Sequence, residues 1–357
     1  MARKQTATKL KDLSIQYPVV SVSDIVVRTE KNQHGRVTEQ YLAHEGEEFK
    51  LTQRFWNSFS SRFQLSPNVF NYFSTEEVFN RVASVQGKKA DIRLALLTDT
   101  GHNSALAVSS PEGALMSLEG TETLLGSAKA ESIGFLNGVV TSKHTPRSGK
   151  LLGDIGGEDF EKHFVMGIPV DGYGKPQVAL QVLRQICTNG AVAMAPSFQT
   201  EISVGKKPWA VLERALTSFD SEDGYLLIQQ RLLAAQSSPA SLYECQHLMK
   251  IISSIVNNND KGHIYRSFDK MTGSISAKYG IASFDSLSEK KQRILASDCR
   301  VYELFNFATE LATHHIDDMA AKFKLHAYTG DLMSKEYDLE ATAKGTKKFD
   351  QFLVKTA

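Results

Sequence analysis

Over its first two hundred residues the chain switches between short β-type runs and isolated stretches of helical period. VVSVSDIVV (19–27) is β-branched and alternating, and RVTEQYLAH (36–44) follows the turn-prone KNQHG, which predicts a hairpin from Val19 to about His44. Residues 51–63 change period: Leu51, Phe55, Phe59 and Phe63 recur every four positions with Trp56 beside them, as on one face of a helix. SPNVFNYFSTEEVFNRV (66–82) leads into a second helix, capped by Ser74 or Thr75 ahead of Glu77.

Strand patterns return at DIRLALLTD (91–99), SALAVS (104–109) and ESIGFLNGVVTSKH (131–144), divided by the turn-rich GHN and PEG. HTPRSGK and GDIGGEDF then read as a Gly-rich surface loop. KHFVMGIPV passes through the DGYGKP turn into QVALQVLRQI, and TNG precedes AVAMAP. After Pro208 the period becomes helical for good, in WAVLERAL, YLLIQQRLLAAQ, SLYECQHLMKIISSIV and RVYELFNFATELATHH.

The expected fold class is therefore α+β: a mixed, mostly antiparallel sheet region with inserted helices, followed by a helical C-terminal third. We divide the chain into a basic N-terminal arm (1–18), a β-rich domain (19–205), a helical region packed on it (206–330) and a C-terminal tail (331–357). No internal repeat of convincing period interrupts this order.

Composition narrows the picture. The 357 residues hold 41 Lys+Arg against 40 Asp+Glu, so no whole-surface field recruits nucleic acid or membrane, and such binding needs a local patch. A local patch exists at the start, where Arg3, Lys4, Lys9 and Lys11 precede the first acid, Asp12. These cations can touch phosphates or merely solubilise a terminus. No apolar run reaches the roughly 18 residues of a membrane span, and MARKQTATKLKDL lacks a signal-peptide core, so a cytoplasmic protein without membrane partners is expected. Cys187, Cys245 and Cys299 are odd in number and far apart, which points to reduced thiols rather than a disulfide framework or a CxxC metal pair.

Four features carry candidate chemistry. Arg54 and Arg62 alternate with Phe55, Trp56, Phe59, Phe63, Phe70, Tyr72 and Phe73, the mixture that stacks bases and neutralises phosphates in single-strand grooves; a helix with its rings in the core has the same spacing. Cys187 closes an apolar run, as a buried small hydrophobe would, and is a nucleophile only if a base such as His163 reaches it. Beside it, Asn189–Gly190 is the strongest two-residue turn signal. Gly153, Gly156 and Gly157 match no phosphate-loop spacing, so a loop tip explains them. His314 with Asp317 or Asp318 offers two metal ligands but no third, and His315 falls on the apolar side of its helix with Leu304, Phe305, Ala308 and Leu311. No cofactor and no metal is assigned.

The stretch FVMGIPVDGYGKPQVALQVLRQICTNGAV (164–192) resembles the central signature of the phage/plasmid-like protein family built on domain of unknown function number 932. VYELFNFATELATHH resembles that family's late segment, in which an Asn and a Thr-Glu pair recur before a His; here these are Asn306, Thr309, Glu310 and His314 or His315. VVSVSDIVV fits the opening strand, and the resemblance extends from about residue 18 to 325. The Ala-rich AVAMAP after TNG departs from the expected continuation. The resemblance implies a phage, prophage or plasmid setting rather than a reaction, and makes Cys187, Thr188, Asn189 and Gly190 a structural motif.

Three functions compete. The first is a non-catalytic single-stranded DNA binding or annealing protein, homo-oligomeric, using Arg3, Lys4, Lys9, Lys11, Arg54, Trp56 and Arg62. The second is a phage structural protein, or one that binds a host or phage protein. The third is an enzyme built on Cys187 with His163, or on a metal at His314 and Asp318; no motif for it is complete.

Overall fold

Thr52 decides where the first sheet stops and the first helix starts. Five strands precede it: β1 (Ser14–Gln16), β2 (Val19–Ser21), β3 (Val26–Lys31), β4 (Val37–His44) and β5 (Glu47–Leu51). The Thr52 hydroxyl accepts from the Phe55 N–H at 3.1 Å, so α1 (Gln53–Phe63) begins at Gln53 and Leu51 belongs to β5, not to the helix expected over 51–63. This computed structural model describes residues 10, 13–33, 37–66, 68–85, 90–99, 103–154, 159–184, 190–192, 199–205, 207–255, 261–273, 278–280, 286–316 and 318–334.

A short 3-10 turn, Val69–Asn71, leads to α2 (Thr75–Ala83), whose capping box joins Ser74 and Glu77 as expected. β6 (Asp91–Thr98) and β7 (Ser104–Ser109) complete a sheet ordered β1-β6-β7-β5-β4-β3, with β2 also on β6. β3 and β4 form the predicted hairpin, Val26 opposite Ala43. Val19–Ser21, however, leaves that hairpin for β6, because a 3-10 turn at Val22–Asp24 buries Val22 and redirects the chain. Among the described ladders only β5 with β7 is parallel.

The second sheet follows α3 (Leu118–Ser127), a helix the apolar pattern did not reveal. Its strands are β8 (Ser132–Leu136), β9 (Val139–His144), β10 (Leu151–Asp154), β11 (Asp159–Pro169), β12 (Gln177–Arg184), β13 (Gly190–Val192) and β14 (Gln199–Glu201), ordered β13-β12-β11-β9-β8 with β10 on β11 and β14 on β12. β8 and β9 meet through Asn137–Gly138, both at positive φ (46° and 82°), a two-residue type I′ hairpin. The turn expected at Asn189–Gly190 is different: Leu183 lies opposite Gly190, so Gly190 is a strand residue and not the second residue of a tight turn. Gly153 likewise belongs to β10, at a bulge with φ 113°, rather than to a loop tip.

The C-terminal part holds α4 (Pro208–Ser218), α5 (Glu222–Ser237), β15 (Pro239–Ser241), α6 (Leu242–Ile255), α7 (Lys261–Thr272), α8 (Glu289–Ile294), β16 (Ala296–Arg300), α9 (Val301–Glu310), a π-helical turn (Leu311–His315) and α10 (Met319–Ser334). Pro208 opens α4 at N1, where its missing N–H costs nothing. α10 continues through the point where a tail was expected, residue 331. The fold is α+β.

Three apolar cores connect these parts. Phe49, Phe55, Phe59, Ile92 and Leu94 join the first sheet to α1 and α2. Ala95, Leu97 and Leu106 of that sheet meet Phe164, Met166 and Ile168 of β11 and Val170 just after it, with Leu124, Leu125, Leu212 and Leu216 of α3 and α4. Phe160 of β11 and Leu180 and Val182 of β12 pack on Tyr225, Ile228, Leu248, Leu304 and Leu325 of the helices. The second sheet thus touches two cores at once.

Candidate binding surface

Arg54 is half-buried and its guanidinium is turned towards the second sheet. Its Nε donates to Asp171 Oδ2, its Nη2 donates to Asp171 Oδ1 at 3.0 Å and to the Tyr173 carbonyl, and the guanidinium lies 5.1 Å from the Tyr173 ring. Asp171, fully buried at the turn between β11 and β12, also accepts from the Tyr173 N–H at 3.0 Å. Burial raises its carboxyl above the ordinary aspartate value, and Arg54 and the Tyr173 N–H pull only part of that back. Gly138 makes room, since a Cβ there would collide with this carboxylate.

The rings around Arg54 divide into two groups. Phe55 and Phe59 are completely buried, and Trp56 packs edge-on against Phe55, Phe59, Phe70 and Phe79 with centroids 5.0 to 5.9 Å apart. The four-residue spacing therefore serves the core. Arg62 donates to the Asp91 carbonyl at 3.3 Å. Tyr72 and Phe73 behave otherwise: they are 81% and 52% exposed on the connection between α1 and α2, with Arg81 exposed in the last turn of α2. Arg3, Lys4, Lys9 and Lys11 lie outside the described residues.

A polar cluster occupies the second sheet. His163 on β11 is almost fully buried, with Nε2 3.1 Å from Glu161 and Nδ1 3.4 Å from Glu131, and it stands opposite Gln181 of β12. Burial lowers its pKa, against the opposing pull of Glu161 and Glu131, so the neutral imidazole is favoured. Burial pushes the Glu131 carboxyl up, but the Thr145 hydroxyl with Lys150 and Lys143, at 3.0 and 3.2 Å, outweighs it and leaves the pKa at about 2. The cluster's membership depends on which strands pair, so only His163 was visible in the sequence. Cys187, Thr188 and Asn189 lie outside the described residues, and with them the proposed pairing of Cys187 and His163.

On the late helix, Asn306 and Thr309 are joined by a 2.9 Å bond from the Thr309 hydroxyl to the Asn306 carbonyl, while Glu310 is exposed. His315 is exposed as well, which corrects the expectation of a core histidine: the helix widens into a π turn at Leu311, and the wider turn carries His314 and His315 off the apolar side. Asp318 caps α10 through the Ala321 N–H at 2.8 Å. Cys245 and Cys299 are free, buried thiols in the helical core; burial raises the first, and contact with it lowers the second. Among the described residues no three His, Cys, Asp or Glu side chains are arranged around a metal position, and no helix is long and apolar enough to cross a membrane.

Fold and surface together define a class, an α+β protein of two seven-stranded sheets with a helical part, which holds a two-stranded β15–β16 ladder, and an exposed aromatic pair. Compared with known proteins, the chain matches no family model, no curated protein and no solved structure.

Proposed function

We propose that the protein is a non-catalytic binder of single-stranded nucleic acid, and that Tyr72 and Phe73 are the platform on which bases stack. The observation that carries this reading is the exposure of these two adjacent rings when the other aromatic residues of the segment are packed inward. Exposed neighbouring rings lose apolar contact with the protein and regain it against a base, and every base offers a π-face, so such binding tolerates any sequence. Arg81 and the basic residues Arg3, Lys4, Lys9 and Lys11 supply the phosphate contacts in this scheme. A phage or plasmid setting, implied by the family resemblance, fits a protein that handles single strands.

The test is fluorescence anisotropy of a labelled oligo-dT strand titrated with the full chain at several salt concentrations. Binding is expected at low salt, to weaken as salt rises, and to fall about tenfold for Tyr72→Ala and again for Phe73→Ala. Absence of binding at low salt, or an affinity unchanged in the double variant, overturns the proposal.

A further inference from the structure

The outward side of α5 carries leucines where a surface helix carries charge. Tyr225, Ile228, Leu232 and Ala235 fill the helical core. On the other side Leu226, Leu227 and Leu233 are 52%, 38% and 45% exposed. Asp223, Leu226, Gln230, Leu233 and Ser237 are all exposed, and their spacing alternates three and four residues, that of a coiled-coil seam. Three leucines exposed together on the side away from the core call for cover there as well.

We propose that the cover is a second copy of this chain, with the two α5 helices packed antiparallel about a two-fold axis at Gln230. A two-fold interface uses the same patch on both copies. With the axis at Gln230, Leu227 faces Leu233 of the second copy and Leu226 faces its Ala234, so the three exposed leucines of α5 are covered. The charges at the two ends select the direction. Glu222 and Asp223 are exposed in the first turn, and Arg300 sits at the last turn, where its Nη1 donates to the Ser237 carbonyl at 2.7 Å. Antiparallel packing sets the acids of one copy beside Arg300 of the other, twice over; parallel packing would bring acid against acid and arginine against arginine. Arg231 takes no part, since it reaches sideways to the Met333 carbonyl at 2.9 Å. This inference does not rest on the nucleic-acid reading.

Sedimentation velocity on the full chain tests it. Wild-type protein is expected at twice the 39.5 kDa chain mass, and Leu226→Glu with Leu233→Glu at the single mass with an unchanged circular dichroism spectrum. Should that variant misfold, charge reversal decides: Asp223→Arg alone is expected to weaken association about tenfold, and Asp223→Arg with Arg300→Asp to restore it. A wild-type chain that stays monomeric at the highest attainable concentration overturns the proposal. So does a folded leucine variant that remains dimeric, or a double charge reversal no tighter than the single one.

Discussion

Arg54 of α1 and Asp171 of the β11–β12 turn, 117 residues apart, form a two-pronged ion pair with a buried carboxylate that ties the first sheet's helix to the second sheet. Replacing Arg54 by Met leaves a buried carboxylate with no cation, which is expected to cost about 3–5 kcal/mol by urea denaturation. The sign of the pH dependence follows from the raised Asp171 pKa. A raised acid binds its proton more readily folded than unfolded, so stability falls as pH rises from the ordinary aspartate value through the folded one. In Arg54→Met that fall should steepen, and Asp171→Asn in the same background should remove it. A variant as stable as wild type would show the pair to be incidental.

Gly138 and Gly149 separate two kinds of glycine requirement. Both have positive φ, 82° and 91°, but only at Gly138 would a Cβ strike another group, the Asp171 carboxylate. Gly149→Ala is expected to cost about 1 kcal/mol for the backbone conformation alone. Gly138→Ala should cost at least about 2 kcal/mol more, by the clash added to that strain. Equal losses in thermal denaturation would remove the steric account.

Acid should destabilise the protein over two pH windows. His144 is buried beside Phe164, its rings 5.2 Å apart, and burial lowers its pKa from 6.5 to about 4. The unfolded chain takes up a proton that the fold refuses, so stability falls as pH drops from about 6.5 to 4, by up to about 3 kcal/mol. Glu131 is a depressed acid: its contribution is present above the ordinary glutamate value and is lost as pH falls towards about 2. His144→Phe should shrink the loss in the first window, which His163 and His326, also lowered by burial, share, and leave the second; Glu131→Gln should remove the second. Denaturation midpoints measured from pH 7 to pH 2 distinguish the two.

Core and surface rings should respond differently to truncation. Phe59→Ala removes a completely buried ring and is expected to cost about 3–5 kcal/mol. Tyr72→Ala removes an exposed one and should stay within about 0.5 kcal/mol. If Tyr72→Ala destabilises as strongly as Phe59→Ala, the ring is structural and loses its place as a stacking platform.

The parts of this fold that were legible were those set by local period. The β3–β4 hairpin, the Ser74–Glu77 capping box and the change to helices after Pro208 follow from neighbouring residues. α3 was hidden because Gly120, Thr121, Thr123 and Gly126 dilute its apolar row, and β15 and β16 because three and five residues are too few to show alternation. The Asn137–Gly138 turn carried the same signal as Asn189–Gly190, yet only the first is a tight hairpin; the dipeptide permits the turn, and pairing of the flanking strands decides it. The partners of Arg54 and His163 were beyond reach, since strand register and packing against a distant turn are tertiary facts. The exposed aromatic pair lay within a segment already singled out, but which rings turn outward was not readable from their spacing.

Tyr17, in the gap between β1 and β2, donates its hydroxyl to the Val170 carbonyl at 2.8 Å and accepts the Leu118 N–H at 3.1 Å. One of its two partners is made 153 residues later. During synthesis the opening strand emerges long before that carbonyl, and before β6, against which it will lie. The ribosome therefore releases an unpaired strand that must wait for most of the sheet framework to follow it, a long interval in which an unpaired edge is open to wrong partners.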